Sequence, residues 1–457
     1  MEAEKRNPLG YEKPAILLRQ FAIPSVASML ITSLYNLVDQ IFIGQKVGLL
    51  GNAATNVAYP LTTICLAISL LIGIGSASKF SLELGAGEKK EAEHCVGNAF
   101  WMSVVLGIFY SILIELFLPS LLHAFGATDS VFPYAESYVR ITAIGMPFLI
   151  FTNVMSNLIR ADGSPKYSMS CMMIGAIVNT ILDPLFMFGF GMGVEGAALA
   201  TVISQIISFV FAFGYLWKFK QVKLGKEFFH PQLKRCIKIA SLGASNSLNQ
   251  IAITLVQIVM NNSLTYYGAL SAYGKEIPLS SFGIIMKVNS IFISIFVGIS
   301  QGSQPIVGYN YGAKQYDRVK EVYSLAIKCS FVVSTIAFIL FQFFTKNVIS
   351  LFGSGDELYF EFATMFMRTF LFMIIVNGVQ VISSNVFSAL GMPLKGTLLS
   401  LSRQFIFLVP LILILPIFFG VTGIMYSAPI SDTIAFIITA ILVKREFKIM
   451  EKMKTDM

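Results

Sequence analysis

Long apolar stretches alternate with short polar segments along the whole chain. Stretches of about 20 residues centre near residues 30, 66, 107, 145, 178, 206, 250, 292, 333, 374, 407 and 432. A helix of about 20 residues is needed to cross a hydrocarbon core of ~30 Å. A transmembrane β-barrel would instead have strands of ~10 residues with alternating polarity. The pattern therefore predicts an all-α, polytopic membrane protein with 12 transmembrane helices.

Short motifs recur at a nearly constant offset. GIGSASKFSLELGAGEKKEAE from Gly73 matches GISQGSQPIVGYNYGAKQYDR from Gly298, FGATDS from Phe125 matches FGSGDE from Phe352, ADGSPK from Ala161 matches ALGMPLK from Ala389, and GVEGAALAT from Gly193 matches GVTGIMYSA from Gly420. The offset spans six helices, an even number, so the halves enter the membrane in the same sense as parallel repeats. We predict an amino-terminal six-helix lobe over residues 1–217, a basic cytoplasmic linker over 218–238, and a carboxy-terminal six-helix lobe with a short basic tail over 239–457.

Composition agrees with a membrane protein. Of the 457 residues, 55% are hydrophobic and 13% are charged, whereas soluble domains have roughly 45–50% and about 25%. The polar amino-terminal segment leads into the first span without a small-residue cleavage site, so we expect no removable signal peptide. The five cysteines include no CxxC pair, which favours packing roles over a disulfide or metal role.

Basic residues are concentrated in the loops of one side. If the amino terminus is inside, most of the 33 Lys and Arg residues lie on that side, and the opposite loops hold Lys46, Lys275 and Lys346. Cytoplasmic loops carry the excess of Lys and Arg, so both termini are predicted to be cytoplasmic. This bias accounts for the formal net charge of +8. Nucleic-acid binding, which needs a basic soluble face, is not expected.

Two duplicated lobes with a cleft between them are typical of a transporter, because rocking of the lobes exposes the cleft to each side in turn. A membrane-embedded enzyme has little support, since His94, His123 and His230 are dispersed along the chain. No Walker A motif is present, so ATP is not expected to be the direct energy source. We expect neither enzymatic activity nor a cofactor.

A carboxylate lies inside the apolar run NTILDPLFMFGFGMGVEGAALAT, where Asp183 precedes Pro184. Such a group at membrane depth costs at least ~2.5 kcal/mol, so it faces the protein interior and marks an ion or proton pathway. Asn179 lies four residues earlier on the same helical face. Pro184 has no N–H and frees the carbonyl of Thr180 as a further acceptor. A structural role for a hydrogen-bonded Asp at a proline kink is the alternative.

A second carboxylate, Asp39, lies in the first span. Four polar residues share one helical face there, which must look inward: Thr32, Tyr35, Asn36 and Asp39. The second lobe has no counterpart of Asp183, since alignment of Pro184 with Pro410 places Val409 at that position. Carboxylate, amide and hydroxyl oxygens suit Na⁺. Two acids in a poorly solvated cavity cannot both stay ionised, so the pair can also carry a proton; the residues leave both ions open.

Polar residues in other spans are candidates for a substrate cavity in the cleft. The abundant Phe, Tyr and Met provide an adaptable apolar lining and cation–π contacts for organic cations. The candidate cavity residues are Tyr35, Asn36, Asn153, Asn157, Gln250, Gln257, Asn261, Lys287 and Arg403. Amides within spans also join helices, so a structural role stays open. Arg403 can pair with Asp432, or it can admit anionic substrates together with Lys287.

The chain resembles the MATE (multidrug and toxin extrusion) transporters, in particular the bacterial branch of MepA-type and DinF-type exporters. The resemblance covers essentially the whole chain and is most specific at NLVDQIFIG, NTILDPLFMFGFGMGVEGAALAT, GISQGSQPIVGYNYGAKQYDRV and SALGMP. It implies a MATE-like fold and export of organic cations and other amphipathic drugs by alternating access, driven by inward H⁺ or Na⁺ flow. In related members, the positions of Asp39, Asn179, Asp183 and Thr201 form a cation and proton site.

We therefore expect a multi-pass protein of the bacterial cytoplasmic (inner) membrane that functions as a monomer, with small-molecule drugs, organic cations and the lipid bilayer as partners. Na⁺ or H⁺ is the expected coupling ion. The alternative is a flippase for lipid-linked sugars or other amphiphiles from the same wider superfamily. A flippase should have a strongly basic central cavity, whereas the spans of this chain carry few cations.

Overall fold

The computed structural model describes residues 7–225, 229–352 and 356–455. Parts of the predicted linker (226–228) and of the FGSGDE motif (353–355) lie outside these residues. The helices are α1 (Pro14–Lys46), α2 (Leu49–Ala86), α3 (Lys89–Ala124), α4 (Phe132–Ala161), α5 (Pro165–Pro184), α6 (Val194–Gly214), α7 (Leu233–Ala269), α8 (Glu276–Gly312), α9 (Tyr316–Phe343), α10 (Thr345–Phe352), α11 (Glu357–Phe370), α12 (Ile374–Ala389), α13 (Pro393–Leu401), α14 (Val409–Phe419) and α15 (Val421–Thr455). The described part of the chain contains no strand.

Ten of the helical segments in the described ranges are long and apolar enough to cross a membrane, and α11 with α12, bent by 48°, forms an eleventh span. The 37-residue helix α7 supplies the twelfth. It is less apolar than the others because Asn246, Asn249, Gln250 and Gln257 line an internal chamber. The prediction of an all-α membrane protein with 12 spans in two six-helix parallel repeats is confirmed, and one of the spans is polar because it faces inward.

The backbone repeats where the sequence motifs repeat. Gly193 and Gly420 have φ values of 62° and 61°, and Gly163 and Gly391 have φ values of 85° and 77°. Lys314 takes a φ of 58° at the position that Gly87 occupies in the first repeat. A positive φ is rare for a side chain with a Cβ, so its recurrence indicates the same turn at the same place in both lobes.

Each lobe also contains a π-helical turn beside the matched prolines. Leu185–Gly189 follows Pro184, and Ser402–Leu408 lies between α13 and α14, just before Pro410. A proline cannot donate an N–H to the carbonyl four residues earlier, and such a gap in the ladder is a common cause of a local change in helical winding. The proline therefore gives both repeats a helix that is irregular at membrane depth.

Both ends of the described chain lie at the same end of the helix bundle. Arg318, at the start of α9, donates to the carbonyl of Glu12 at 2.6 Å. Lys320 in the same turn forms a 2.7 Å ion pair with Glu451 near the end of α15. We call this end of the bundle the terminal side. An even number of spans requires such an arrangement.

The two lobes approach most closely in the terminal-side halves of their helices. A Cβ added to Gly243 in α7 would lie 1.9 Å from the Leu71 carbonyl oxygen of α2, and one added to Gly75 would lie 2.0 Å from the Ile239 carbonyl oxygen. Such distances are far below van der Waals contact, so only glycine allows these backbones to meet. The lobes are therefore closed against each other on the terminal side.

Gly243→Ala is expected to open this contact. The added methyl group overpacks the interface, which typically costs about 1–3 kcal/mol, and the lobes must separate to relieve it. Spin labels at the exposed positions Lys90 and Glu321, one in each lobe, should show a longer mean distance. Gly283→Ala is the matched control, because a Cβ at Gly283 meets nothing within 4 Å. Identical distance distributions for the two variants would contradict the prediction.

Candidate functional site

Four side chains from three helices of the first lobe meet at one point. The Asn179 Nδ2 donates to Asp183 Oδ1 at 3.2 Å, and it lies 3.5 Å from Thr201 Oγ1. The carboxyl groups of Asp39 and Asp183 lie close enough together to interact. The structure thus brings together the four predicted coupling residues. We call them the acid chamber.

Three oxygen atoms of the acid chamber have no protein partner. They are Asp39 Oδ1, Asn179 Oδ1 and Asp183 Oδ2, and each is buried. Asp183 is 0% exposed and Asn179 is 2% exposed, so bulk water does not compensate them. A buried polar atom without a partner costs about 1–3 kcal/mol. The acid chamber is therefore chemically incomplete and suited to a small positively charged occupant.

The acid chamber is bordered by two tyrosines, a small cavity and a buried cluster of apolar side chains. Tyr35 and Tyr138 lie within electrostatic range of both carboxyl groups. A small cavity of about 40 Å³ lies between α1, α4, α5 and α6, and its largely apolar lining includes polar side chains of Thr32, Tyr35, Thr152, Ser204, Gln205 and Ser208. Ile43, Met187, Val194 and Ala197 form a buried apolar cluster packed against Phe42, Val47 and Tyr138. Tyr138 was not identified from the sequence, because a single tyrosine within a span carries no distinguishing signal.

A larger chamber of about 260 Å³ lies mainly in the second lobe. Ten carboxamide side chains contribute to its lining: Asn246, Asn249, Gln250, Gln257, Asn289, Gln301, Asn377, Gln380, Asn385 and Gln404. Arg403 and Asp432 also line it and form an ion pair, with Arg403 Nε 2.6 Å from Asp432 Oδ1. This confirms the pairing that the sequence suggested. We call this cavity the second-lobe chamber.

The predicted cavity residues do not gather in one place. Gln250, Gln257 and Arg403 line the second-lobe chamber, and Tyr35 lines the small cavity beside the acid chamber. The other predicted members lie outside the linings of both cavities: Asn36, Asn153, Asn157, Asn261 and Lys287.

Asn153 and Asn157 have a physical reason to lie elsewhere. Their amide groups donate to backbone carbonyls four residues earlier in their own helix, at 3.0 and 2.8 Å. Lys287 is exposed, on the same helical face of α8 as Ser294, which contacts Ser33 of α1.

Two polar contacts that the sequence analysis missed join the lobes on the terminal side. Arg160 is 3% exposed, and its Nη1 donates to Gln301 Oε1 at 2.9 Å. Gln304 Nε2 donates to Ser78 Oγ at 2.7 Å and to the Ile74 carbonyl at 3.1 Å. From the sequence, Arg160 counts among the basic residues assigned to the loops on the side of the amino terminus, whereas the structure places it within α4, buried between the lobes. The available signal was the pair of glutamines in the repeated motif GISQGSQP.

Asp162, in the connection between α4 and α5, holds the start of the interlobe linker. Its oxygens accept hydrogen bonds from the Tyr215 hydroxyl at 2.7 Å, the Lys220 N–H at 2.8 Å and the Gln221 N–H at 2.9 Å. Burial raises the pKa of the Asp162 carboxyl to about 6, against the opposite influence of these hydrogen bonds. Above that pH the ionised carboxylate accepts all three bonds, so the linker is fixed to the first lobe.

Comparison with known proteins places the chain in a family. The family model MatE matches residues 24–185 and 245–439. "Multidrug export protein MepA" of Staphylococcus saprophyticus is 23% identical over 440 residues, covering 95% of this chain and 94% of that protein. The MepA of Staphylococcus aureus strain MSSA476 is 24% identical with the same coverage.

Solved structures share the fold. One is described as the outward-facing conformation of a multidrug resistance MATE family transporter of the MOP superfamily, with a TM-score of 0.91, 22% identity, and coverage of 99% of this chain and 100% of that one. A MOP superfamily transporter from Pyrococcus furiosus, described as having a binding pocket of reverse polarity, gives a TM-score of 0.90 at 22% identity and the same coverage. The chain belongs to the MATE family of membrane transporters.

Proposed function

We propose that this protein is a multidrug efflux antiporter that exports organic cations and other amphipathic drugs, driven by H⁺ or Na⁺ entering through the acid chamber. The observation that carries the proposal is the set of three buried, unpartnered oxygens on Asp39, Asn179 and Asp183. The names of the MepA relatives support drug export as the class of activity. We also propose that the protein lies in the bacterial cytoplasmic membrane with both termini cytoplasmic.

A proton fits the contact between the two carboxyl groups. A hydrogen bond between carboxyl groups requires that one of them carry the proton, because an ionised carboxylate only accepts. Loss of that proton leaves two like charges in contact, and their repulsion drives Asp39 and Asp183 apart. Since Asp39 lies on α1 and Asp183 on α5, protonation governs the distance between these two helices.

Helix α1 can carry this movement to the other lobe. Its middle contacts α8 through a 2.7 Å hydrogen bond between Ser33 and Ser294. Nearer the terminal side, α1 packs so closely that a Cβ on Gly302 of α8 would lie 2.6 Å from the Ala22 Cα. A shift of α1 towards or away from α5 therefore changes the packing between the lobes. Coupling between an ion site and a cleft requires a contact that can adopt two arrangements.

Sodium would use the same residues. The three unpartnered oxygens and the Thr201 hydroxyl offer hard oxygen ligands to a small cation. Its positive charge would offset the repulsion between two ionised carboxylates. A proton removes the same repulsion by neutralising one of them. Binding of either ion would hold Asp39 and Asp183 together, and release of that ion would let them move apart.

With the predicted orientation, the closed terminal side faces the cytoplasm. The glycine contacts and the bonds of Arg160 and Gln304 then form the cytoplasmic gate, and the conformation is outward-facing. The flippase alternative predicts a strongly basic cavity. Arg403 is the only basic residue among the described residues that line the second-lobe chamber, and Asp432 neutralises it. This charge balance favours an exporter.

Dye transport in proteoliposomes tests the proposal. Vesicles holding the purified protein and the cationic dye ethidium are given a pH gradient or a sodium gradient separately, with no ATP. We expect dye movement against its own gradient under at least one of the two conditions and none when the ionophore nigericin or monensin collapses the gradient. A protein that moves no cationic dye under either gradient is not the proposed antiporter.

A further inference from the structure

The second-lobe chamber carries no net charge within its described lining. Its charged residues are Arg403 and Asp432, which are paired with each other. The Arg403 Nε donates to Asp432 Oδ1 at 2.6 Å, so the charge of this carboxylate is already balanced inside the protein. An ion entering this chamber would lose its hydration without finding a counter-charge, which is costly. A net-neutral ligand avoids that cost.

The lining offers hydrogen-bonding atoms that the protein itself leaves unused. Asn289 Oδ1, Asn385 Oδ1 and Asn246 Nδ2 are buried and without partners. The whole residues Asn289 and Asn385 are 5% and 4% exposed, and both line the chamber. The Arg403 guanidinium donates to Asp432 through its Nε, which leaves its outer edge as a further donor. Both acceptors belong to side chains that line the chamber, so rotation of these side chains would present them, together with the Arg403 donor, to one ligand.

Apolar side chains lie between these polar groups. Ile253, Met260, Phe282, Ile293 and Leu408 line the same space as the carboxamides. The volume of about 260 Å³ is slightly below the ~300–1,000 Å³ of pockets that hold drug-sized ligands. A ligand that fills it is small and combines short apolar groups with neutral donors and acceptors at fixed separations. The amide group has this combination.

We propose that the second-lobe chamber binds small, net-neutral, amide-bearing solutes of the size of a capped dipeptide. The unpartnered acceptors of Asn289 and Asn385 receive the N–H groups of such a ligand, and the outer edge of Arg403 donates to its carbonyls. This inference rests on the proposed function, since the interior chamber of a transporter is where cargo binds. It divides the cargo range: neutral amides bind here, while cations are attracted to the acidic first lobe.

Calorimetric titration of the detergent-purified full chain tests this with three probes of one skeleton. N-acetyl-alanyl-glutamine amide is neutral, alanyl-glutamine amide is a cation, and N-acetyl-alanyl-glutamine is an anion. We expect the neutral probe to bind at least about tenfold more tightly than either charged probe. Asn289→Leu and Asn385→Leu should each weaken its binding about fivefold, as expected for the loss of one hydrogen bond.

Two control variants keep the outcome specific. Asn153→Leu makes the same chemical change outside both cavities and should leave the affinity unchanged. Asp183→Asn should remove ion-driven dye efflux and still show saturable binding of the neutral probe, so binding and coupling can fail separately. Equal affinity for a charged probe, absence of saturable binding by the neutral probe, or unchanged affinity in both Asn289→Leu and Asn385→Leu would overturn the inference. Dye efflux that persists in that case leaves the antiporter proposal standing.

Discussion

Asp183→Asn is expected to reduce the rate of ion-driven efflux by at least about tenfold. Coupling between two sites usually changes the affinity at one of them by ~5–150-fold, so an effect of this size is expected when coupling is lost. The asparagine has nearly the same shape and can still accept from Asn179, so the helix should keep its place. It cannot lose a proton or carry a negative charge, and the acid chamber then has no change of state to transmit. The measurement is the initial rate of ethidium efflux from proteoliposomes, normalised to the amount of reconstituted protein.

The acid chamber should also behave as one unit. Asp39→Asn is expected to cause a similar loss, and the double variant should be no slower than either single variant, because residues that act together are strongly non-additive. Asp129→Asn is the control, since this carboxylate lies exposed between α3 and α4. Full ion-driven efflux by Asp183→Asn at equal protein levels would show that coupling occurs elsewhere.

Much of the fold and of the acid chamber could be predicted because local sequence determines them. All spans except the polar α7 meet the length and hydropathy expected of a membrane helix, and the matched motifs fix the relation of the lobes without any knowledge of packing. Asn179 and Asp183 are four residues apart on a helix and must share a face. The meeting of Asp39 and Thr201 with them does not follow from spacing, and it was predicted from the family resemblance alone.

The residues of the second-lobe chamber were harder to predict because they depend on packing. Asn153 and Asn157 have the same i, i+4 spacing as Asn179 and Asp183, yet they bond to their own helix backbone. Asn289 and Asn385 lie next to serines in their spans and do not repeat at a helical spacing that would single them out. Arg160 ends a helix next to a loop, so its burial between the lobes is visible only once α4 and α8 are packed together. Hydropathy identifies a span, but it does not show which polar face of the span looks into a chamber.

Arg403→Met is expected to destabilise the protein by about 3–5 kcal/mol, the usual consequence of leaving one member of a buried ion pair alone. Asp432 is 5% exposed, and Arg403 is its ion-pair partner. Without the guanidinium, the carboxylate would be held away from water with no counter-charge. The measurement is the free energy of unfolding of the purified protein in mixed micelles, obtained from denaturant titration of its intrinsic fluorescence.

The double variant Arg403→Met/Asp432→Asn should recover most of this loss. With both charges removed, no buried charge is left without a partner, and the methionine fills the space of the arginine stem without a charge to desolvate. If the pair serves stability alone, the double variant should also keep the affinity for N-acetyl-alanyl-glutamine amide. We expect instead that stability returns while that affinity stays at least about fivefold weaker, because the outer edge of Arg403 is then missing as a donor to the ligand. Recovery of both quantities would restrict the role of Arg403 to holding α15 against the π-helical turn of the second lobe.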